Sequence, residues 1–383
     1  MSENDRRPGP ISSAVLQLLL FVALLASAVV LYLRSDDRAS DNSAELNAII
    51  RLPNVQQTDQ SSAASVSTFD GDALQVSPDG TRLAFLRGPR FHRDIWIAPR
   101  EAIEDAVPLG LAEDQGVLQF EWALDNVHII FRRPFDVLNQ VYTADVATGH
   151  TIALNSFEGS IAGGISLSPR HPEEALLRLG DSPVAEPDLY LVNLASGAMQ
   201  LIEPAGTVGE FYADENFVVR AGRTLDTQGF TIFARRDAGW EQVRFVAREP
   251  GEQAGVLYLG ATRNRIYILD DEGRNTIALS SIDLATGERD IVAAPEDGDV
   301  VQVLRAPATS DIFAYAVAEG ENIEWRALDS GFSSDMDQLN ALPGDQARVV
   351  SQSLDNLTWT IEAANNFYIF DRASGAITQI TSY

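Results

Sequence analysis

Apolar and polar positions alternate along this chain in short runs, and each run ends in a tight turn. The stretch "VSPDGTRLAFLRG" (Val76 to Gly88) is a clear case. Ser77 and Pro78 enter a turn, Asp79 and Gly80 supply positions that tolerate a left-handed backbone, and Leu83 and Phe85 then recur with period two. The pattern predicts a β-hairpin. It returns at Ala123 ("ALDN"), Ser168 ("SPRH"), Ala213 ("ADEN"), Ala261 ("ATRN"), Ala306 ("APAT") and Ser353 ("SLDN"), at intervals of 46, 45, 45, 48, 45 and 47 residues. Asn126, Asn216, Asn264 and Asn356 stand where the first copy has Gly80. Gly and Asn are the residues that best accept positive φ, so the match has a mechanical reason.

A strand follows each turn, as in "RLAFLR", "VHIIFRR" and "LTWTIEA". A second strand then carries a large anchor: Trp96, Tyr142, Tyr190, Phe233, Leu279, Trp325 and Tyr368. Four copies close with a second turn signature, "DVATG" (Asp145 to Gly149), "NLASG" (Asn193 to Gly197), "DLATG" (Asp283 to Gly287) and "DRASG" (Asp371 to Gly375), before a last strand. An Asx-type turn started by Asp or Asn and ended by a left-handed Gly explains that signature.

Four short strands in each of seven repeats is the composition of an all-β, seven-bladed β-propeller, expected over residues 70–383. One four-stranded sheet cannot bury both of its faces, but seven arranged radially can. A β-sandwich would alternate without this period, and a helical solenoid would not alternate at all. The first copy has its inner strand, "ALQVS" (Ala73 to Ser77), and the last its outer strand, "AITQITS" (Ala376 to Ser382). The ring is therefore expected to close by packing or with a segment of the linker, without exchange of a strand.

No charged residue occurs from Pro8 to Leu33. Residues 11–33 are predicted to form a single transmembrane helix acting as a signal anchor. Arg6 and Arg7 precede it, which places residues 1–10 in the cytoplasm and the propeller in the periplasm or outside the cell, held to the cytoplasmic (inner) membrane. The alternative is a cleaved signal peptide with Ala26-Ser27-Ala28 as the small-residue site. Residues 34–69 form a polar linker, in which "ELNAIIRLP" (Glu45 to Pro53) has the pattern of one or two helical turns or a short docking segment.

Composition narrows the chemistry. The formal net charge is −27 and all 28 basic residues are arginines, so a phosphate backbone is repelled and a nucleic-acid partner is not expected. Cysteine is absent from the sequence, which removes disulfides, thiolate zinc sites and thiol nucleophiles.

The stretches "LQVSPDGTRLAFLR", "FEWALDNVHIIFRR", "VYTADVATGH" and "NFYIFDRASGAITQIT" resemble the N-terminal propeller of prolyl oligopeptidase family serine peptidases, nearest to the dipeptidyl and acylaminoacyl peptidase branches. The Tol-system propeller protein uses the same "SPDG" turn. In the peptidase family the resemblance implies a following α/β-hydrolase domain, with a Ser, Asp and His triad and its Ser in a Gly-x-Ser-x-Gly elbow. No such elbow occurs in these 383 residues; "GGISLS" (Gly163 to Ser168) lacks the closing Gly. His92, His128, His150 and His171 fall at turns or strands of three repeats and have no marks of a general base. Glu173-Glu174 resembles the paired glutamates that hold a substrate amine in dipeptidyl peptidases, but reads better as a solvated turn. "DDEGRN" (Asp270 to Asn275) lacks the ligand spacing of a calcium loop and reads as a hairpin turn.

No catalytic, cofactor-binding or metal-binding residue is assigned, and no cofactor is expected. The expected function is that of a membrane-anchored, substrate-gating propeller, inactive alone, whose partner is a separate α/β-hydrolase domain. The rival expectation is a free-standing scaffold propeller, of the Tol-system or WD type, for a peptide or protein ligand.

Overall fold

The structure is a computed structural model. It describes residues 74–380, apart from 90–91, 112–115, 134–139, 156–160, 181–185, 207, 226, 248–254, 261, 321 and 345. The transmembrane helix expected at 11–33 and the segments at 1–10 and 34–69 lie outside the described residues. Among the described residues no helix is long and apolar enough to cross a membrane.

Seven antiparallel sheets follow one another along the chain. Blade 1 holds β1 (Gln75–Val76), β2 (Arg82–Arg87), β3 (Asp94–Pro99) and β4 (Val107–Pro108). Blade 2 holds β5 (Gln119–Trp122), β6 (His128–Arg132), β7 (Val141–Asp145) and β8 (Thr151–Ala153). Blade 3 holds β9 (Ile161–Leu167), β10 (Glu174–Gly180), β11 (Asp188–Asn193) and β12 (Met199–Glu203). Blade 4 holds β13 (Glu210–Ala213), β14 (Val219–Leu225), β15 (Gly229–Arg236) and β16 (Gly239–Ala247). Blade 5 holds β17 (Gly255–Leu259), β18 (Arg265–Asp270), β19 (Ala278–Asp283) and β20 (Arg289–Ala293). Blade 6 holds β21 (Asp299–Arg305), β22 (Ile312–Glu319) and β23 (Asn322–Ala327). Blade 7 holds β24 (Arg348–Gln352), β25 (Thr358–Ala363), β26 (Asn366–Asp371) and β27 (Ala376–Ile380).

Alternation explains the packing. Successive residues of a strand point to opposite faces of its blade, so an apolar run supplies both neighbours. Leu83 and Phe85 pack toward blade 7 with Phe367 and Ile369, while Ala84 packs toward blade 2 with Phe120 and Phe131. Seven such apolar clusters fill the seven blade interfaces. Five of the seven expected anchors, Trp96, Tyr142, Tyr190, Phe233 and Tyr368, pack toward the preceding blade, whereas Leu279 and Trp325 lie on the other face of their strands and pack toward the following blade.

The ring closes between blades 7 and 1. The backbone N–H of Val76 donates to Ser351 Oγ at 2.8 Å, and that of Leu354 to the Pro78 carbonyl at 2.8 Å. Arg100 Nη1 donates to Thr358 Oγ1 at 2.7 Å. Among the described residues no strand passes from one end of the chain into the sheet of the other.

The inner strands β1, β5, β9, β13, β17, β21 and β24 begin on one face of the ring, here called the upper face, and end at the anchor turns on the lower face. Ser77, Ala123, Ser168, Ala306 and Ser353 stand at equivalent places in those turns, where a backbone N–H or C=O closes the turn. Two expected anchors are displaced by one residue. In blade 4 Asp214 holds the place given to Ala213, because a register shift follows Tyr212 and the Asp214 carboxylate caps its own turn at the N–H groups of Asn216 and Val218. In blade 5 Gly260, not Ala261, bonds across the turn to Arg265. Positive φ therefore falls on Phe217 (58°) and Arg263 (61°), whereas Asn126 (61°) and Asn356 (59°) take it as expected.

The sixth blade departs from the expected four strands. After β23 the chain forms a 3-10 turn (Ser330–Phe332) and helix α1 (Ser333–Asn340). Asn340 replaces the missing outer strand at one point: its Oδ1 accepts from the Trp325 N–H at 2.8 Å and its Nδ2 donates to the Trp325 carbonyl at 2.9 Å. Met336 and Leu339 enter the core between blades 6 and 7.

Candidate functional site

Three arginines reach the upper mouth of the ring from consecutive blades. Arg132 ends β6, Arg178 lies near the end of β10 and Arg223 near the end of β14, at intervals of 46 and 45 residues. Each extends toward the inner strand of the following blade. Arg132 Nη2 donates to the Gly163 carbonyl of β9. Arg178 Nη1 lies 3.9 Å from Glu210, the first residue of β13. Arg223 lies against Gly255, the first residue of β17.

Two glycines make room for this arrangement. A Cβ on Gly164 would stand 2.7 Å from Arg178 Nη2, and one on Gly163 would stand 3.2 Å from the Arg178 Cβ. Glycine inside a strand marks close approach of another group, and here that group is a guanidinium lying across the inner strand. A register shift between Leu177 and Leu179 accompanies it.

Glu210 is the centre of the cluster. Arg223 Nη2 donates to its Oε1 at 2.7 Å, and Tyr212 Oη donates to its Oε2 at 2.9 Å. Burial pushes the Glu210 carboxyl up, but Arg223 and Arg178 outweigh burial and hold it below the ordinary glutamate value. Burial also pushes the Tyr212 hydroxyl well above its ordinary value, with Glu210 adding to the shift against the pull of Arg223. The site thus keeps a carboxylate ionised among fixed guanidinium groups. It can orient a charged group at the mouth; acyl transfer also needs a nucleophile and a base, which this cluster does not pair.

The residues singled out in the sequence lie apart from the mouth or in local roles. His128 Nδ1 meets Asp125 Oδ2 at 2.5 Å within its own turn. His171 lies 3.5 Å from Glu174 and against the Phe217 ring, on the lower face. His92 and His150 are exposed in loops on opposite faces. Glu173 gives its carbonyl to the Leu194 N–H, as a turn residue does. Asp270 is buried and receives Arg289, with Gly273 at φ 76°, so "DDEGRN" is a hairpin turn closed by an arginine. Ser168 follows β9 and donates to the Glu215 carbonyl. The Arg and Glu cluster was missed in the sequence reading. Its signals were there: three arginines at the repeat interval and a Gly-Gly pair inside a strand pattern.

Sequence comparison finds a dipeptidyl aminopeptidase BIII from Pseudoxanthomonas mexicana that is 28% identical over 320 residues, covering 81% of this chain and 46% of that protein. Among solved structures, a prolyl endopeptidase superposes with a TM-score of 0.55 at 12% identity, over 82% of this chain and 50% of the other. The chain resembles the propeller half of prolyl oligopeptidase family peptidases. Prolyl oligopeptidase B from Galerina marginata gives a TM-score of 0.52 at 12% identity, over 85% of this chain and 52% of its own. The β-propeller domain of the trilobed protease from Pyrococcus furiosus gives 0.51 at 12% identity, over 84% of this chain and 97% of its own. At these identities the structural likeness shows the propeller fold alone. No family model matches the chain. The chain spans about half the length of the curated relative that it matches.

Proposed function

We propose that this propeller is the non-catalytic, substrate-gating part of a prolyl oligopeptidase-type peptidase, anchored in the inner membrane by residues 11–33 and facing the periplasm. Its partner is an α/β-hydrolase domain seated on the upper face. One observation carries this reading: the described propeller begins at Leu74 and ends at Ile380, and both residues lie on the upper face, where Glu210 and its arginines are. A domain on that face meets both ends of the propeller and the fixed charges of the mouth. The curated relative supports the pairing, since it matches this chain over less than half of its own length.

Without that domain the chain is inert toward peptides and esters, because nucleophile, base and oxyanion donors act as a unit. The test uses the purified full chain with chromogenic dipeptide and ester substrates and a fluorophosphonate label. Neither turnover nor labelling is expected. Adding a family α/β-hydrolase domain should give binding and peptide turnover. Hydrolysis by the chain alone, retained at constant specific activity through purification and lost on changing a single Ser or His, would overturn the reading. Reporter fusions after Tyr383 test the topology; activity of a cytoplasm-only reporter would refute it.

A further inference from the structure

Outer strands of a propeller expose an unpaired edge, and natural proteins blunt such edges with shortness, charge, proline or bulges. Five of the blades here do so. β4 has two residues and ends in Pro108, and β8 has three. β12, β16 and β20 carry charged residues, and each has a register shift against its neighbour. In blade 6 α1 and Asn340 cover part of the edge. Blade 7 differs. β27 reads "AITQI", has no charge and no proline, and pairs with β26 over five consecutive residues without a shift. Ala376, Thr378 and Gln379 are exposed.

A groove runs beside this edge. It has a volume of about 490 Å³ and lies between β27 and the Arg100–Glu104 segment of blade 1. The shortness of β4 leaves that side of the seam open. Ile103, Ile369 and Ile380 give it apolar walls, and Glu101, Glu104 and Asp371 give it an acidic rim. The one cation of the lining, Arg100, bonds Glu101 and Thr358 and lies 3.8 Å from Asp371, which leaves the rim with a net negative charge.

We propose that the edge of β27 is a strand-addition site for an extended, cationic peptide segment. The segment extends the blade 7 sheet through main-chain hydrogen bonds. Alternate side chains enter the groove, apolar ones against the isoleucines and basic ones against the rim. A second copy of this chain fits less well, since it brings another formal −27 and its own acidic rim to the same place.

The probes are two blocked fluorescent octapeptides, one alternating valine with arginine and one alternating valine with glutamate. Their anisotropy is followed against the purified full chain. Saturable binding is expected for the arginine peptide, and at least tenfold weaker binding for the glutamate peptide. Prolines are placed separately at Thr378 and Gln379, because alternate residues point their N–H to the outer edge; one of the two should weaken binding at least tenfold. A Glu101→Arg/Glu104→Arg double variant changes two exposed positions, the Arg100 partner Glu101 and Glu104 in a short 3-10 turn, and should weaken the arginine peptide by a similar factor. Equal binding of both peptides, or undiminished binding in all three variants, would overturn the proposal. Concentration-dependent self-association abolished by the prolines, without peptide binding, would assign the edge to a second copy and also overturn it.

Discussion

Ala364 and Asn365 form a two-residue hairpin between β25 and β26, with φ of 50° and 60°. Both central residues of such a turn need positive φ, which costs an alanine about 1 kcal/mol. Ala364 is exposed and packs little, so Ala364→Gly should raise stability by up to about 1 kcal/mol, read from the midpoint of urea unfolding. The same physics made some turns legible and hid others. Gly80, Asn126 and Asn356 announce positive φ by their identity. Phe217 and Arg263 do not, because tertiary contacts hold them there: Phe217 is buried against His171, and Arg263 pairs with Glu215. The mouth cluster was equally hard to read, since burial and cross-blade reach decide what an arginine in a strand does. Glu210→Gln removes the carboxylate that Arg223 and Arg178 face, and should cost about 2–4 kcal/mol of unfolding free energy. A loss below a few tenths would show that the mouth charges are held by other groups.

At the scale of elements, blade 6 shows where a repeat argument overreaches. Six sheets support the rule of four strands, and the rule was extended to the seventh. The local sequence argued otherwise. Phe332, Met336 and Leu339 fall at helical spacing, and Asp329 accepts from the Gly331 N–H to start the turn. The helix holds its place through Arg372, which lies over Phe332 and Trp359 and pairs with Asp335 at 2.7 Å. Asn340→Ala would leave the Trp325 N–H and C=O without their partner. Because Asn340 is exposed, water replaces part of the loss, so a cost of about 1–2 kcal/mol is expected. Hydrogen exchange should quicken at Trp325 while distant blades stay protected; uniform loss of protection would mean that Asn340 stabilises the whole ring instead.

At the scale of the molecule, the period of the turns was legible because each blade repeats one set of hydrogen bonds. Asp145, Asp283 and Asp371 accept from the N–H groups of Thr148, Thr286 and Ser374, and Asn193 accepts in the same way from Ser196. These bonds hold the Asp283 and Asp371 carboxyls below their ordinary value; at Asp145 burial acts upward, and bonds to Thr148 and Ala147 outweigh it. A carboxyl depressed in the folded state adds stability above its unfolded pKa of about 3.9, and that stability is lost as pH falls through the lower folded value. Acidification below about pH 4 should therefore loosen these turns in blades 2, 5 and 7. Blade 3 is the internal control, since Asn193 does not titrate. Exchange protection, corrected for intrinsic rates, should fall at Thr148, Thr286 and Ser374 before it falls at Ser196. Acid relieves the repulsion among 55 carboxylates against 28 arginines only down to the isoelectric point near 4.4; below it a growing net positive charge disfavours the folded ring. The two effects differ in location: net charge acts on all blades, while turn loss is confined to the aspartate turns. Simultaneous loss at Ser196 and the other three amides would show that global unfolding, not titration of the turns, limits stability in acid.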